Sequence, residues 1–378
     1  MPVPFFRMHH HVGPIGFDLG TRYLRMVQLV GEGERFAVVG CAQQIVPLEI
    51  KSRAEYELIV MSSVDRMLRE GHFSGRDVVT SLGWNDLQIR NLRLNAAAEG
   101  DLEDNIRRQA AESFDMDPVE TEFRFLPAGD VRHGTDMQQE VIVLGASRTA
   151  IENHLALLNK LGLNPVAIDA GPCALFRSFE RFMRRGEDDD QVHALLDMGY
   201  EATRVVISRG TDLILFKSIP LGGRHFDRLL GQRLDLSRYE ASEIRMRAQR
   251  NRSHLDARET GEIDPAPESL HRAVFDALRP AFEQIGKEIA LCLRYCSATF
   301  RGQRCEMVTM VGGQAGDRAM RRFLADQVGL PFEVGRPMRN MVLDCGGNTL
   351  DRRAGQPEWA MATGLALKPL HRAAEVMR

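Results

Sequence analysis

The sequence predicts an α/β fold, and three observations support that assignment. Strand-like and amphipathic helical segments alternate along the whole chain of 378 residues. A strand-turn-strand pattern occurs twice, around residues 18 and 197. A third apolar strand ends in two glycines at residue 312 and is followed by a helix. With 44% hydrophobic residues, the chain can form more than one core.

Composition and charge disfavour several classes of protein. The formal net charge of -3 gives no basic excess for binding nucleic acid or an acidic membrane surface. No apolar run approaches the roughly 18 residues that cross a bilayer, and the N-terminus lacks a signal-peptide pattern. We therefore expect a cytoplasmic protein that binds no nucleic acid and inserts no segment into a membrane.

The cysteines and a histidine cluster are the candidate metal ligands outside the repeats. The six cysteines include no CxxC pair, which is typical of a reducing compartment. Cys292 and Cys296, with Cys305 nearby, form a partial metal pattern, but thiols on one helix face are more often core residues. We interpret them as core, and the three histidines at 9–11 as solvated.

Periodicity predicts two helices. Apolar positions step by three or four from Phe282 to Phe300, which predicts a long buried helix. Thr149 and Glu152 have the spacing of a capping box and predict the start of a helix that stops at Gly162.

Strand and loop signals complete the pattern. Residues 165–169 are predicted as a strand, and two strand-like runs within 78–94 predict a hairpin. The polar tract 185–191 is predicted as an interlobe link, and residues 251–269 as a mobile loop. A short βα-rich module is predicted over residues 95–148, with Leu102, Ile106 and Ala110 on one side of its helix.

The repeated unit carries the chemistry. In IGFDLGTRYLRMVQLV the first strand ends at Asp18-Leu19-Gly20, and in ALLDMGYEATRVVISRG it ends at Asp197-Met198-Gly199. A glycine turn lets backbone N-H groups approach phosphate oxygens. A carboxylate beside phosphate makes sense only with Mg²⁺ or its water shell between them. The Gly312-Gly313 turn could lie flat against a nucleoside, although such turns are also common connectors.

The order of these elements resembles the superfamily of actin, heat-shock ATPases and sugar kinases, and within it the family of the type IV pilus assembly protein PilM. The resemblance extends over about residues 13–370. It is carried by IGFDLGTRYLRMVQL, IRNLRL, EVIVLGASRTAIENHLALLNKLGLNPVAIDAGPCAL, LLDMGY, IPLGGRHFDRLL, CLRYC, MVGGQAG and AMATGLAL.

The resemblance implies a two-lobed actin-like ATPase fold with a small inserted FtsA-type subdomain in lobe one. Lobe one would comprise residues 13–94 and 149–186, the subdomain residues 95–148, and lobe two residues 191–370.

The resemblance also implies a site for ATP and Mg²⁺ between the lobes. The residues at matching positions are Asp18, Gly20, Thr21, Asp197, Gly199, Tyr200, Gly222, Gly223, Glu243, Arg245, Gly312, Gly313 and Gln314. Asp18 and Asp197 would hold Mg²⁺ through water. Arg22, Tyr23 and Arg25 replace the small hydroxyl residues and the lysine of the family, so either arginine could contact phosphate or lie on the hairpin surface. Tyr200 could cover the phosphates or block them.

The function implied is an ATP-binding scaffold of a type IV pilus or a related secretion platform. Its partner would be the cytoplasmic N-terminal peptide of a PilN-like inner-membrane protein, which would keep the chain peripheral to the inner membrane. Self-association stays open. No base is identifiable for attack on the γ-phosphate, so we expect slow ATP hydrolysis or none.

Two alternatives remain. An FtsA-like membrane-associated division or filament protein would need an amphipathic C-terminal anchor, and LHRAAEVMR is short and charged for that role. A small-molecule kinase of the same superfamily would need a general base, for which Asp169 is the candidate.

Overall fold

The computed structural model describes residues 12–32, 35–50, 52–95, 102–133, 136–183, 191–253, 268–300, 304–345, 350 and 355–376. The histidines at 9–11, and most of the predicted link and loop, lie outside these ranges. Residues 251–253 and 268–269, the predicted ends of the loop, belong to helices.

The elements alternate as the sequence predicts. The described strands are β1 (Val12–Leu19), β2 (Tyr23–Glu32), β3 (Arg35–Ile45), β4 (Asp77–Ser81), β5 (Gln88–Asn95), β6 (Thr121–His133), β7 (Asp136–Ser147), β8 (Asn164–Asp169), β9 (Val192–Met198), β10 (Thr203–Arg209), β11 (Asp212–Ile219), β12 (Val308–Val311), β13 (Phe332–Val334) and β14 (Val342–Leu343). The described helices are α1 (Arg53–Glu70), α2 (Leu102–Phe114), α3 (Arg148–Lys160), α4 (Gly171–Glu180), α5 (Gly223–Leu234), α6 (Arg238–Ser253), α7 (Glu268–Thr299), α8 (Arg318–Val328) and α9 (Ala360–Val376).

The internal repeat extends from the hairpins to whole sheets. One sheet has the order β14-β3-β2-β1-β4-β8 and the other the order β11-β10-β9-β12-β13. In each sheet the hairpin is antiparallel, its first strand pairs in parallel with the next strand in line, and that strand pairs in parallel with the last one. Apart from β14, the two sheets therefore have the same topology, and each forms the centre of one lobe.

The inserted module is a separate three-stranded sheet of order β5-β7-β6, covered by α2. Ile106 and Ala110 of α2 are buried against Val141 and Val143 of β7, so the predicted helix face is the packed one. The module begins with β5 at Gln88, earlier than the predicted boundary at residue 95.

The hairpin predicted within residues 78–94 is wrong. Its first run is β4, which pairs with β1 and β8 in lobe one, and its second run is β5, which pairs with β7 in the module. Val78, Val79 and Thr80 are completely buried inside the lobe-one sheet. Residues 83–86 do form a turn, in which the Asp86 amide donates to the Gly83 carbonyl at 3.0 Å, but the segment 82–87 connects two sheets and closes no hairpin.

The predicted range of lobe two, residues 191–370, is also too long. Strand β14 pairs with β3 in the lobe-one sheet. Helix α9 packs on β1 and α4: a Cβ atom on Gly16 would lie 2.1 Å from the Ala362 carbonyl oxygen. The chain thus returns to lobe one at its C-terminal end, because α9 buries its apolar face there.

Two helix predictions need different corrections. Helix α7 contains the predicted buried stripe, with Ile285 and Ile289 completely buried, but it begins at Glu268 and carries Pro280 inside it. Helix α3 is capped by Ser147, whose hydroxyl accepts a hydrogen bond from the Ala150 amide at 3.2 Å, and not by Thr149. Ser147 is the cap because α3 begins one residue before Thr149.

The contact between α9 and α4 leads to a prediction about Gly364. Its added Cβ atom would lie 1.7 Å from the Ala174 carbonyl oxygen, so neither helix can accept it without moving. We expect Gly364→Ala to lower the free energy of unfolding by about 2 kcal/mol or more. Gly316→Ala, where nothing lies within 4 Å, is the control in the same denaturant titration. Equal stability of the two variants would contradict the packing described here.

Candidate functional site

The candidate site is a cleft where the two lobes meet. A cavity of about 720 Å³ is lined by both repeated turns, by the Gly312-Gly313 turn and by the start of α4. A smaller cavity of about 260 Å³ adjoins it at the α6 side, and Tyr200, Gly313 and Gln314 line both cavities. Together the two cavities have room for the phosphates and the nucleoside of one nucleotide.

The two turns have the same local geometry. A Cβ atom on Gly20 would lie 2.4 Å from the Tyr23 carbonyl oxygen, three residues on. In the second copy, the Gly199 amide donates to the Ala202 carbonyl at 3.0 Å, again three residues on, and an added Cβ atom would lie 2.9 Å from that oxygen. Any residue with a Cβ atom would clash with the backbone at either turn, so glycine is needed for these tight turns at the cleft.

Each turn carries an aspartate opposite an arginine. Asp18 pairs with Arg25 across β1 and β2, and Asp197 pairs with Arg204 across β9 and β10. The Arg204 Nη1 atom donates to Asp197 Oδ2 at 2.7 Å. Sequence analysis missed Arg204, although the same spacing of seven residues separates the aspartate and the arginine in both copies.

The charges of the two hairpins act on each other. Burial raises the pKa of Asp18 to about 6; Arg25 opposes that rise, whereas Asp197 adds to it. Burial likewise lowers the pKa of Arg25, and Asp18 is the strongest influence in the opposite direction. The two aspartates therefore face a common space, as the sequence predicts.

The smaller cavity is organised by a buried ion pair. Arg245 donates through Nε to Asp227 Oδ1 at 2.7 Å, with side-chain exposures of 2% and 0%. Its Nη1 atom donates to Gln314 Oε1, which also accepts from Gln249 at 3.1 Å. Removal of one partner of such a pair costs about 3–5 kcal/mol because the other charge stays buried. Arg245 thus fixes the side chain of Gln314 beside the Gly312-Gly313 turn.

Most of the predicted site residues converge on these cavities. Those that line at least one of them are Asp18, Gly20, Thr21, Asp197, Gly199, Tyr200, Arg245, Gly312, Gly313 and Gln314. Glu243 is exposed and lines neither cavity, whereas its neighbour Ser242 and also Met246 line the smaller one. These two residues carry no motif of their own, so nothing in the sequence indicates them.

Gly222 and Gly223 line neither cavity and instead support the second turn. The amides of Gly223 and Arg224 donate to the carbonyls of Gly199 and Tyr200, at 3.1 and 2.8 Å. A Cβ atom on Gly222 would lie 2.7 Å from both of those carbonyl oxygens. The two glycines let the start of α5 pack directly on the turn.

The first turn is held by its bulky residues. Arg22 Nη1 donates to the Val46 carbonyl, which ties the turn to the end of β3. The Arg25 guanidinium lies 4.7 Å from the centre of the Tyr23 ring and donates to Gln43 Oε1 at 2.7 Å. Both arginines nevertheless line the larger cavity.

Asp169, the candidate general base of the kinase alternative, is bound to two cationic side chains instead. Arg177 Nη1 and Lys368 Nζ each lie 2.7 Å from one of its oxygens, and it lines neither of the two cavities. Both of its carboxylate oxygens are thus bonded to cationic side chains. Asp169 therefore ties α4 and α9 together.

Other candidate metal ligands form no site within the described ranges. The six cysteines are free thiols, with Cys292 and Cys296 buried in the lobe-two core as predicted. Among described residues, no three His, Cys, Asp or Glu side chains form a metal-binding group. In the same part of the chain, no helix is both long and apolar enough to span a bilayer.

The partly buried carboxyl group of Asp18 makes stability depend on pH. Its pKa of about 6 lies above the ordinary 3.8, so the charged form costs stability above pH 6, and this cost disappears toward pH 4. We expect Asp18→Asn to stabilise the protein on the order of 3 kcal/mol at about pH 7.5, and by roughly half of that at about pH 5. The exposed Asp65→Asn is the control in thermal unfolding. A stabilisation by Asp18→Asn that does not change with pH would contradict this interpretation.

The fold and the cleft define the class of protein. Two sheets of equal topology, each presenting an Asp-x-Gly turn to one cleft, form the two-lobed fold of actin-like ATPases with a small inserted subdomain. The chain belongs to the family of the type IV pilus assembly protein PilM, whose family model matches residues 16–370. The family predicted from the sequence motifs is therefore confirmed.

Solved structures agree with this fold. The chain is similar to the structure described as "PilM-PilN type IV pilus biogenesis complex", at 24% identity and a TM-score of 0.75, covering 95% of this chain and 99% of that one. It is also similar to the ethanolamine utilization protein EutJ from Carboxydothermus hydrogenoformans, at 15% identity and a TM-score of 0.51, covering 97% and 90%. No curated protein matches the chain significantly.

Proposed function

We propose that this protein is an ATP-binding scaffold of type IV pilus assembly, or of a related secretion platform, that docks a PilN-like inner-membrane protein. The observation that carries the proposal is the convergence of three glycine turns from two repeated sheets on one cleft. Membership of the PilM family supports the role in pilus assembly. The similar solved structure contains PilN, which makes a PilN-like protein the first partner to test.

The cleft suits a nucleotide because different walls of it suit the phosphates and the nucleoside. Both Asp-x-Gly turns bring backbone to the larger cavity, where phosphates would lie. Gly313 has open space where a Cβ atom would be and lines both cavities, so it leaves room for the nucleoside. The Mg²⁺ predicted beside Asp18 and Asp197 stays a prediction, because each carboxylate faces an arginine.

We propose that the partner peptide docks at the open edge of the lobe-one sheet. Strand β8 forms that edge, and its Val166 side chain is exposed although apolar. An extended peptide can add to such an edge through backbone hydrogen bonds. In this arrangement the protein would work in the cytoplasm and stay at the inner membrane through its partner.

ATP binding can be tested with a variant that fills the cleft without disturbing its walls. Because nothing lies within 4 Å of an added Cβ atom at Gly313, we expect Gly313→Leu to fold normally and to bind ATP at least about tenfold more weakly. Calorimetric titration of ATP measures the change, with Ser62→Leu on the exposed face of α1 as the control. Absence of ATP binding to the intact protein would overturn the nucleotide part of the proposal.

The partner can be tested with a labelled peptide from the cytoplasmic N-terminus of a PilN-like protein. We expect saturable binding by fluorescence anisotropy, weakened at least about tenfold by Val166→Arg, because a charge at the docking edge must be desolvated. Leu58→Arg, at another exposed apolar residue, is the matched control. Equal effects of the two substitutions would move the site away from β8, and no binding by the intact protein would refute the partner.

A further inference from the structure

The two phosphate-facing hairpins each hold an arginine that a nucleotide would meet. Arg25 and Arg204 occupy the same position in the repeat, seven residues after Asp18 and Asp197. All four side chains line the larger cavity. The duplicated sheet therefore presents two guanidinium groups to one cleft, one from each lobe.

Asp197 is poorly arranged to organise Mg²⁺. Its Oδ2 atom accepts a hydrogen bond from Arg204 at 2.7 Å, and its side chain is 9% exposed. Its Oδ1 atom lies against Gly312, where an added Cβ atom would be 2.5 Å away. Mg²⁺ needs oxygen ligands that are open to the ion or to its water shell. One oxygen of Asp197 is bonded to a cation and the other is packed against backbone, so Asp197 does not fit that role.

Arg204 is better placed to act on phosphate. Its side chain is 22% exposed, more than that of the aspartate it pairs with. A guanidinium has five N-H donors in a planar fork that matches phosphate oxygens, and only Nη1 is directed at Asp197. Arg204 can therefore keep its ion pair and still donate to an anion in the cleft.

Arg25 supplies the second positive charge from the opposite side. Its guanidinium is held over the Tyr23 ring and near the Trp359 ring, at 4.7 and 5.9 Å from the ring centres. Its orientation is thus set by packing before any ligand arrives. Each arginine is paired with an aspartate across its hairpin, so the two supply directed N-H donors to a phosphate and not a net charge of two.

We propose that the phosphates of a nucleotide in this cleft are held by Arg25 and Arg204, and that binding needs no divalent cation. The inference rests on the proposed function in one respect: the cleft must bind a nucleotide. It changes the expected chemistry, because the groups that bind the phosphates belong to the protein and stay in place when divalent cations are removed. The scaffold would then hold a nucleotide whatever the local concentration of Mg²⁺.

The test is calorimetric titration of ATP into the intact protein in excess EDTA and again in excess Mg²⁺. We expect the two dissociation constants to agree within about threefold, since a tenfold difference corresponds to 1.4 kcal/mol. In EDTA, Arg204→Thr is expected to weaken binding at least about tenfold, because hydrogen bonds to charged groups contribute roughly 1.5–3 kcal/mol. Arg204→Lys, which keeps the charge but loses the planar fork, should fall between the two.

Controls separate this inference from folding and from the proposed function. Arg209→Thr removes an arginine from the same strand that does not line the cavity, and it should bind as the intact protein does. Asp197→Asn combined with Arg204→Thr avoids an unpaired buried carboxylate and should bind as weakly as Arg204→Thr does in EDTA. Binding by the intact protein in Mg²⁺ but not in EDTA would overturn the inference and leave the proposed function standing. Absence of binding in both buffers would overturn both.

Discussion

The return of helix α9 to lobe one is the constraint on which the rest of the structure depends. Gly16 and Gly364 allow the α9 backbone to touch β1 and α4 without intervening side chains. Just before α9, the Pro357 carbonyl accepts a hydrogen bond from the Gly312 amide at 3.0 Å. The segment that covers the core of lobe one therefore also holds the Gly312-Gly313 turn of lobe two, and the cleft is lined from both lobes.

The repeated turns and the long helix could be predicted from the sequence because their signals are local, and the family because several such motifs follow one another in a fixed order. Asp18-Leu19-Gly20 and Asp197-Met198-Gly199 need only adjacent residues to be identified, and the stripe of α7 repeats within a few turns of helix. The same holds for the cap of α8, where the Asp317 side chain accepts from the Met320 amide at 3.0 Å, beside the turn predicted at Gly312-Gly313.

What the sequence could not predict depends on contacts between distant parts of the chain. Strand β5 looks like the second half of a hairpin with β4, and only its pairing with β7, some fifty residues later, assigns it to the module. Strand β14 is two residues long, so its membership of the lobe-one sheet has no sequence signal. Arg204, in contrast, could have been found from the sequence. It lies seven residues after Asp197, as Arg25 lies seven residues after Asp18, and only a comparison of the two copies shows this.

The inserted module is connected to lobe one by its chain but packs on lobe two. Ala128, Val131 and Ile142 of its strands belong to the core of lobe two. Glu140, only 1% exposed, binds Arg93 at 2.9 Å and accepts a hydrogen bond from the hydroxyl of Tyr295 on α7. The module therefore links the two lobes, by its chain connections on one side and by its packed core on the other. A rotation of one lobe against the other must therefore either bend the short connections at the base of the module or slide its packed face over lobe two. Opening or closing of the cleft would thus shift the module.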